Sequence, residues 1–159
     1  SGQTLAVSHK AKNVIFFVGD GMGVSTITAT RVFSVGVAGQ LELDQAAVEA
    51  DYATPDAAVV AKARRGHADR PGAVGDDALG WVLTRAGRCD EGLRYARKSL
   101  RLGTQDALMF FHAGMAAECA GDSVAAIDYL GRAVRLNPNF SVRWAATAKE
   151  SLARLTAGR

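Results

Sequence analysis

A 34-residue unit occurs nearly twice between about Gly72 and Arg159 and then begins a third time, and this repetition restricts the fold more than any other feature of the chain. Gly87-Arg88-Cys89-Asp90-Glu91-Gly92 lies over Gly121-Asp122-Ser123-Val124-Ala125-Ala126. In that register Leu93 matches Ile127, Tyr95 matches Tyr129, Ser99 matches Ala133 and Thr104 matches Pro138, while upstream Leu79-Gly80 falls on Ala113-Gly114. A fixed period of this length marks an array of helical units, each unable to bury its apolar face without a neighbour. Within the second unit, Phe110, Ala113, Gly114 and Ala117 recur at helical spacing, as do Ala126, Ile127, Leu130, Ala133 and Val134. Gly80, Gly114 and Ala126 are small enough to let two antiparallel helices approach closely. Gly87 and Gly121 sit where the chain reverses, and glycine takes a positive φ without strain. Asn137-Pro138 ends the second helix, because proline cannot continue it.

These positions resemble the tetratricopeptide repeat (TPR) family. Unit two carries small, Gly, Gly, Ala, Ala and Pro at the family's places; unit one departs, with Asp76 where a bulky first-helix residue belongs and Thr104 in place of proline. The expected fold is therefore mainly α, a TPR-like solenoid of antiparallel helix pairs over residues 56–159, with Ser141 to Leu155 as a closing helix.

Residues 1–45 read differently. Asn13-Val14-Ile15-Phe16-Phe17-Val18 has the pattern of a strand buried on both faces, followed by Gly19-Asp20-Gly21-Met22-Gly23 and a helical stretch. An acidic residue at the end of a buried strand, held by a glycine turn, suits metal or phosphate chemistry. The stretch from Ala11 to about Gln45 resembles the opening of the alkaline phosphatases. That resemblance implies that Asp20 is a metal ligand, in enzymes that use two zinc ions and a magnesium ion, and it implies a serine nucleophile after an aspartate. The nearest candidate for the latter, Thr54-Pro55-Asp56-Ala57-Ala58, has alanine where the serine would stand, and Asp56 there also suits a helix cap. A catalytic zinc needs three protein ligands, and His9, His67 and His112 form no ligand pair. The catalytic machinery is thus incomplete. With no second strong strand in the chain, three outcomes are open: the strand packs on the repeats, stays poorly ordered, or pairs with another chain, which makes residues 14–18 a candidate self-association segment. Residues 46–55 form the junction between the two parts.

In the repeats, the register puts Asp77, Trp81, Arg85, Phe111, His112, Met115, Glu118 and Lys149 on the concave side, a mixed surface suited to a short peptide or partner helix. Trp81 and Phe111 equally suit packing between neighbouring helices. The net charge of +3 lies in the repeats, where residues beyond 50 carry 16 basic against 12 acidic groups. Its clusters, Lys62-Arg64-Arg65-Arg70 and Arg94-Arg97-Lys98-Arg101, lack aromatic interleaving and read as solvated helix faces, not a nucleic-acid surface. Cys89 and Cys119 show no metal spacing and read as small packing residues. No run approaches a membrane span and the chain given carries no signal-peptide pattern, so a soluble protein is expected. The leading expectation is a protein- or peptide-binding module with no cofactor. The alternatives are a truncated, inactive phosphomonoesterase using zinc and magnesium, and a fusion whose halves do not work together.

Overall fold

The computed structural model describes residues 42–69 and 71–157. The expected strand, Asp20 and the self-association segment 14–18 lie outside the described residues. Those described form seven helices and no strand: α1 Glu42–Tyr52, α2 Ala57–Asp69, α3 Ala73–Arg85, α4 Cys89–Ser99, α5 Ala107–Cys119, α6 Ser123–Leu136 and α7 Ala145–Ala157. None is long and apolar enough to cross a membrane.

Local chemistry sets the ends of these helices. Asp56 Oδ1 accepts from the N–H groups of Ala58 and Val59, so this aspartate opens α2 as a cap. Asp106 does the same for α5 through Leu108 and Met109, and Asp122 for α6 through Ala125. α3 and α4 are joined by a tight turn in which Gly87 has φ 76°. There Gly87 N–H donates to Thr84 O at 3.0 Å and Arg88 N–H to Leu83 O at 2.9 Å. The turn between α5 and α6 repeats the same pair of bonds around Gly121, φ 79°, with Glu118 O and Ala117 O as acceptors. Both are the glycine-ended closure that satisfies the last helical carbonyls. α6 stops at Leu136, ahead of Asn137-Pro138. The closing helix starts later than the expected Ser141: the Ser141 hydroxyl first accepts from Arg143 and Trp144 N–H in a turn, and regular helix begins at Ala145.

α3 with α4, and α5 with α6, are the most extensive pairings, and both run antiparallel. The two pairs share the sequence period, since α3 and α5 begin at Ala73 and Ala107 and end at Arg85 and Cys119 with the same offset at both ends. The first helices touch in series, α1 on α3 and α3 on α5, while α2 packs on α3, α4 on α5 and α7 on α6. One apolar core runs through the array from Ala46, Ala50, Val60 and Ala63 through Leu79, Val82 and Leu83 to Phe110, Phe111, Leu130 and Ala148. A second core of Leu93, Ala96, Ala113, Ala116, Ala117 and Ala126 fills the space between the two central hairpins.

The cysteines depart from the sequence expectation. They are not merely packing residues: Cys89, first in α4, and Cys119, last in α5, are joined by a disulfide across 5.2 Å between Cα atoms. The 30-residue separation concealed a pairing that the antiparallel approach of α4 and α5 creates.

Close approach within the hairpins depends on missing Cβ atoms. A Cβ at Gly114 would stand 2.6 Å from Leu130 Cγ and 3.2 Å from Leu130 N, and one at Gly80 would stand 3.0 Å from Ala96 N. Overpacking of this kind costs about 1–3 kcal/mol. Gly114→Ala is therefore expected to lower unfolding stability by that amount in urea titration. Leu130→Ala in the same chain should offset part of the loss, giving a double variant less destabilised than the sum of the singles. Unchanged stability in Gly114→Ala would show that the helices are not held at that distance.

Candidate binding surface

α3 packs against both α1 and α5, and α3 and α5 carry seven of the eight sequence-selected residues, with Lys149 on α7. Trp81, 3% exposed, and Phe111, fully buried, pack with ring centroids 5.7 Å apart. His112 is also buried and stacks on Trp81 at 4.4 Å. From the chain's far end, Trp144 reaches Trp81 edge-on at 5.5 Å and stacks against Phe111 at 5.7 Å, and Phe140 meets Phe111 at 5.4 Å. Both indoles converge on one acceptor: Asp51 Oδ1 receives Trp81 Nε1–H at 2.9 Å and Trp144 Nε1–H at 3.1 Å. A buried indole N–H needs such a partner. Arg85 closes the cluster, its guanidinium 5.7 Å from the Trp81 ring centre and 5.6 Å from that of Trp144, while its Nε donates to Ala50 O at 2.9 Å. Arg143 bridges Trp144 and the exposed ring of Tyr52.

The structure thus divides the eight sequence-selected residues. Asp77, Trp81, Phe111 and His112 are buried and form a floor. Arg85, Met115 and Glu118 are half-buried and Lys149 is exposed. His112 Nδ1 lies 2.9 Å from Asp77 Oδ2, so imidazole and carboxylate pair with each other inside the floor. Asp77 Oδ1 and Glu118 Oε2 are buried without a hydrogen-bond partner, while Glu118 Oε1 pairs with Arg154. Sequence reasoning missed Asp51, Phe140 and Arg143. Asp51 had a usable signal, since one period back from Arg85 lands on it.

Apart from the aromatic cluster, Lys62, Arg64, Arg94, Arg97 and Lys98 of the basic stretches have specific acidic partners. Asp76, 3% exposed, is held by Lys98 Nζ at 2.8 Å and lies 2.7 Å from His67 Nε2, whose ring sits edge-on to Tyr95. Glu91 gathers Arg64, Arg88 at 2.9 Å and Arg94 at 3.7 Å. Arg97 pairs with Asp122 at 2.8 Å, and Lys62 with Glu49 at 3.3 Å. Burial pushes the Glu91 carboxyl up, but the hydrogen bond from Arg64 and the charges of Arg64, Arg88 and Arg94 outweigh it and hold the group below its ordinary value. Burial likewise pushes Asp76 up, and the hydrogen bonds and charges of Lys98 and His67 reverse the shift.

Among the described residues no group of three or more His, Cys, Asp or Glu side chains could hold a metal ion. Recesses of about 450 and 330 Å³ flank the turn between α1 and α2, away from the aromatic cluster; the larger is lined by Val48, Tyr52, Pro55 and Val59 among others. The cluster is a buried aromatic floor with the half-buried Arg85, Met115 and Glu118 beside it.

In comparisons with known proteins, the alkaline phosphatase family model matches residues 11–70. An alkaline phosphatase of Gadus morhua is 49% identical over 43 residues, a stretch covering 23% of this chain and 9% of that protein. The match by the family model continues past the junction placed at 46–55 and takes in α1 and α2. The chain is similar to this family over a short segment.

Because Asp76 is depressed in the folded state, its contribution to stability is present above the unfolded carboxyl value, near 3.8, and is lost as pH falls through the lower folded value. Urea midpoints are therefore expected to fall more steeply on acidification below about pH 4 in the parent chain than in Asp76→Asn. Parallel pH profiles for the two proteins would remove the Lys98–Asp76–His67 cluster from the acid-sensitive part of the fold.

Proposed function

We propose that this chain is an interaction module of TPR type that binds a protein or peptide across α3, α5 and α7. The carrying observation is that two consecutive helix hairpins reproduce the sequence period in their bounds, their glycine turns and their glycine contacts. Stacked hairpins of this kind offer an extended face for a partner. In this reading Asp77, Trp81, Phe111 and His112 stiffen the floor, while Arg85, Met115, Glu118 and Lys149 make the contacts. Half-buried Met115 supplies an adaptable apolar anchor, and Lys149 and Arg85 favour an acidic or carboxyl-terminated segment.

Because the floor residues are core, replacing them would confuse binding with folding. Selection from a random peptide display library, followed by affinity measurement on the selected peptides, avoids this. Lys149→Glu and Met115→Ala are expected to weaken binding about tenfold or more while leaving thermal unfolding within about 0.5 kcal/mol of the parent. Selected peptides that bind both variants as tightly as the parent would place the binding surface elsewhere.

A second reading rests on the similarity over residues 11–70: a metal-dependent phosphomonoesterase of which this chain holds one segment, with Asp20 as a zinc or magnesium ligand. A two-metal centre needs several converging ligands and an activated nucleophile. Purified chain with zinc, magnesium and p-nitrophenyl phosphate is accordingly expected to give no turnover above buffer. Turnover abolished by Asp20→Ala would reverse the order of the two readings.

A further inference from the structure

The Cys89–Cys119 bond spans the two central hairpins, and its two sulfurs sit in opposite electrostatic settings. Cys89 is the first residue of α4, where backbone N–H groups carry the positive end of the helix. The N-cap residue Arg88 makes no side-chain hydrogen bond to that end; the first turn also carries Asp90 and Glu91, and Glu91 is paired with Arg64, Arg88 and Arg94. Cys119 is the last residue of α5, at the end where carbonyl oxygens point outward, and its sulfur lies 4.0 Å from Thr84 O. Negative charge is favoured at the first position and disfavoured at the second. Exposure has the matching asymmetry: Cys119 is exposed and Cys89 half-buried. Gly87 O lies 3.5 Å from the Cys89 sulfur, where it can accept from a thiol once that sulfur carries hydrogen.

We propose that this disulfide is a redox site for low-molecular-weight thiols, in which Cys119 is the sulfur attacked and Cys89 the sulfur released. The thiolate of the incoming thiol attacks Cys119 Sγ. A new S–S bond forms between them, the Cys89–Cys119 bond breaks, and its electron pair departs on Cys89 Sγ as a thiolate at the helix N-terminus. A second thiolate then attacks the small-molecule sulfur of the mixed disulfide. This step releases the oxidised small-molecule disulfide and leaves both protein sulfurs as thiols after protonation. Two electrons pass from two thiols to the protein bond, and the oxidised small molecule reverses the sequence. Reduction removes the covalent tie between α4 and α5 while leaving the glycine contacts within each hairpin intact, so the junction between the hairpins is the part that loosens.

The test uses the full chain, purified in air and briefly exposed to reduced glutathione, quenched with acid, alkylated with N-ethylmaleimide and mapped by peptide mass spectrometry. The glutathionyl adduct is expected on Cys119 with N-ethylmaleimide on Cys89, favoured by about tenfold over the opposite arrangement. In the single-cysteine variants, the rate of alkylation by iodoacetamide should reach half its maximum at lower pH for Cys89 in Cys119→Ser than for Cys119 in Cys89→Ser. Adducts on Cys89, an even distribution, or the reverse order of the alkylation profiles would overturn the assignment. Two free thiols in the air-purified chain, or a bond unchanged by glutathione under conditions where the protein is folded, would overturn the redox site itself.

Discussion

Everything in the described fold follows from how near two helix backbones can come. α5 lies against α6 at a distance that only a residue without Cβ allows at position 114, because Leu130 already fills the space a methyl group would take. The same holds for Gly80 and Gly92, which face each other across α3 and α4, with Gly92 backed by Thr84. At this separation each helix buries its small residues completely: Ala96, Ala113, Ala117 and Ala126 are core without large side chains. Large side chains such as Trp81 and Phe111 then pack between one hairpin and the next, while Leu130 and Tyr129 stay against the partner helix of their own hairpin. Close packing within a hairpin thus creates the need for a neighbour, and a chain of such units grows by supplying one.

The aromatic cluster meets that need by joining the first described helix to the segment before the last. Trp81, Phe111 and Trp144 come from α3, α5 and the turn before α7, and Asp51 on α1 accepts from both indoles. One carboxylate therefore fixes the relation of the first described helix to the last over 93 positions of sequence. Its contacts run between residues that no local pattern connects, which makes this long-range relation sensitive to a single side chain. Breaking one of two hydrogen bonds to a shared acceptor leaves a buried donor unpaired, and such a donor costs more than a typical bond contributes.

Much of the helical part was legible in the sequence because its determinants are local. Gly87 and Gly121 announce reversals, Asp56 and Asn137-Pro138 announce a start and a stop, and the period aligns α3 with α5. What could not be read is what substitutes for a missing pattern residue. Asp76, Phe110 and Trp144 occupy one position of the period. Phe110 fills it with a ring under Arg132, and Trp144 with an indole reaching Asp51. Asp76 fills it with a carboxylate satisfied by His67 and Lys98, residues from two other helices. Spacing identifies the place, but only the fold reveals which partners make a charge acceptable there. The disulfide was hidden for the same reason, because helix ends 30 residues apart meet only after both hairpins have formed. Of the two roles the period left open for Trp81 and Phe111, lining a groove or packing between helices, the structure shows packing: both are buried, against Trp144 and Phe140.

The short stretch of alkaline phosphatase similarity shows how far context governs the role of a sequence. Residues 42–69 fall within the match to that family, and here they form two helices whose Ala46, Ala50, Val60 and Ala63 enter the same core as Trp81 and Phe111. Asp56, within the one segment that could be compared with a nucleophile motif, spends its carboxylate on the first turn of α2. Asp51 spends its own on two indoles that lie outside the matched residues. A carboxylate engaged in this way has its lone pairs aimed at N–H donors, and binding a metal through it would leave those buried donors unpaired. Identity along a segment carries over side chains but not the neighbours that give them a task. In the described helices those neighbours come from α3, α5 and the turn before α7.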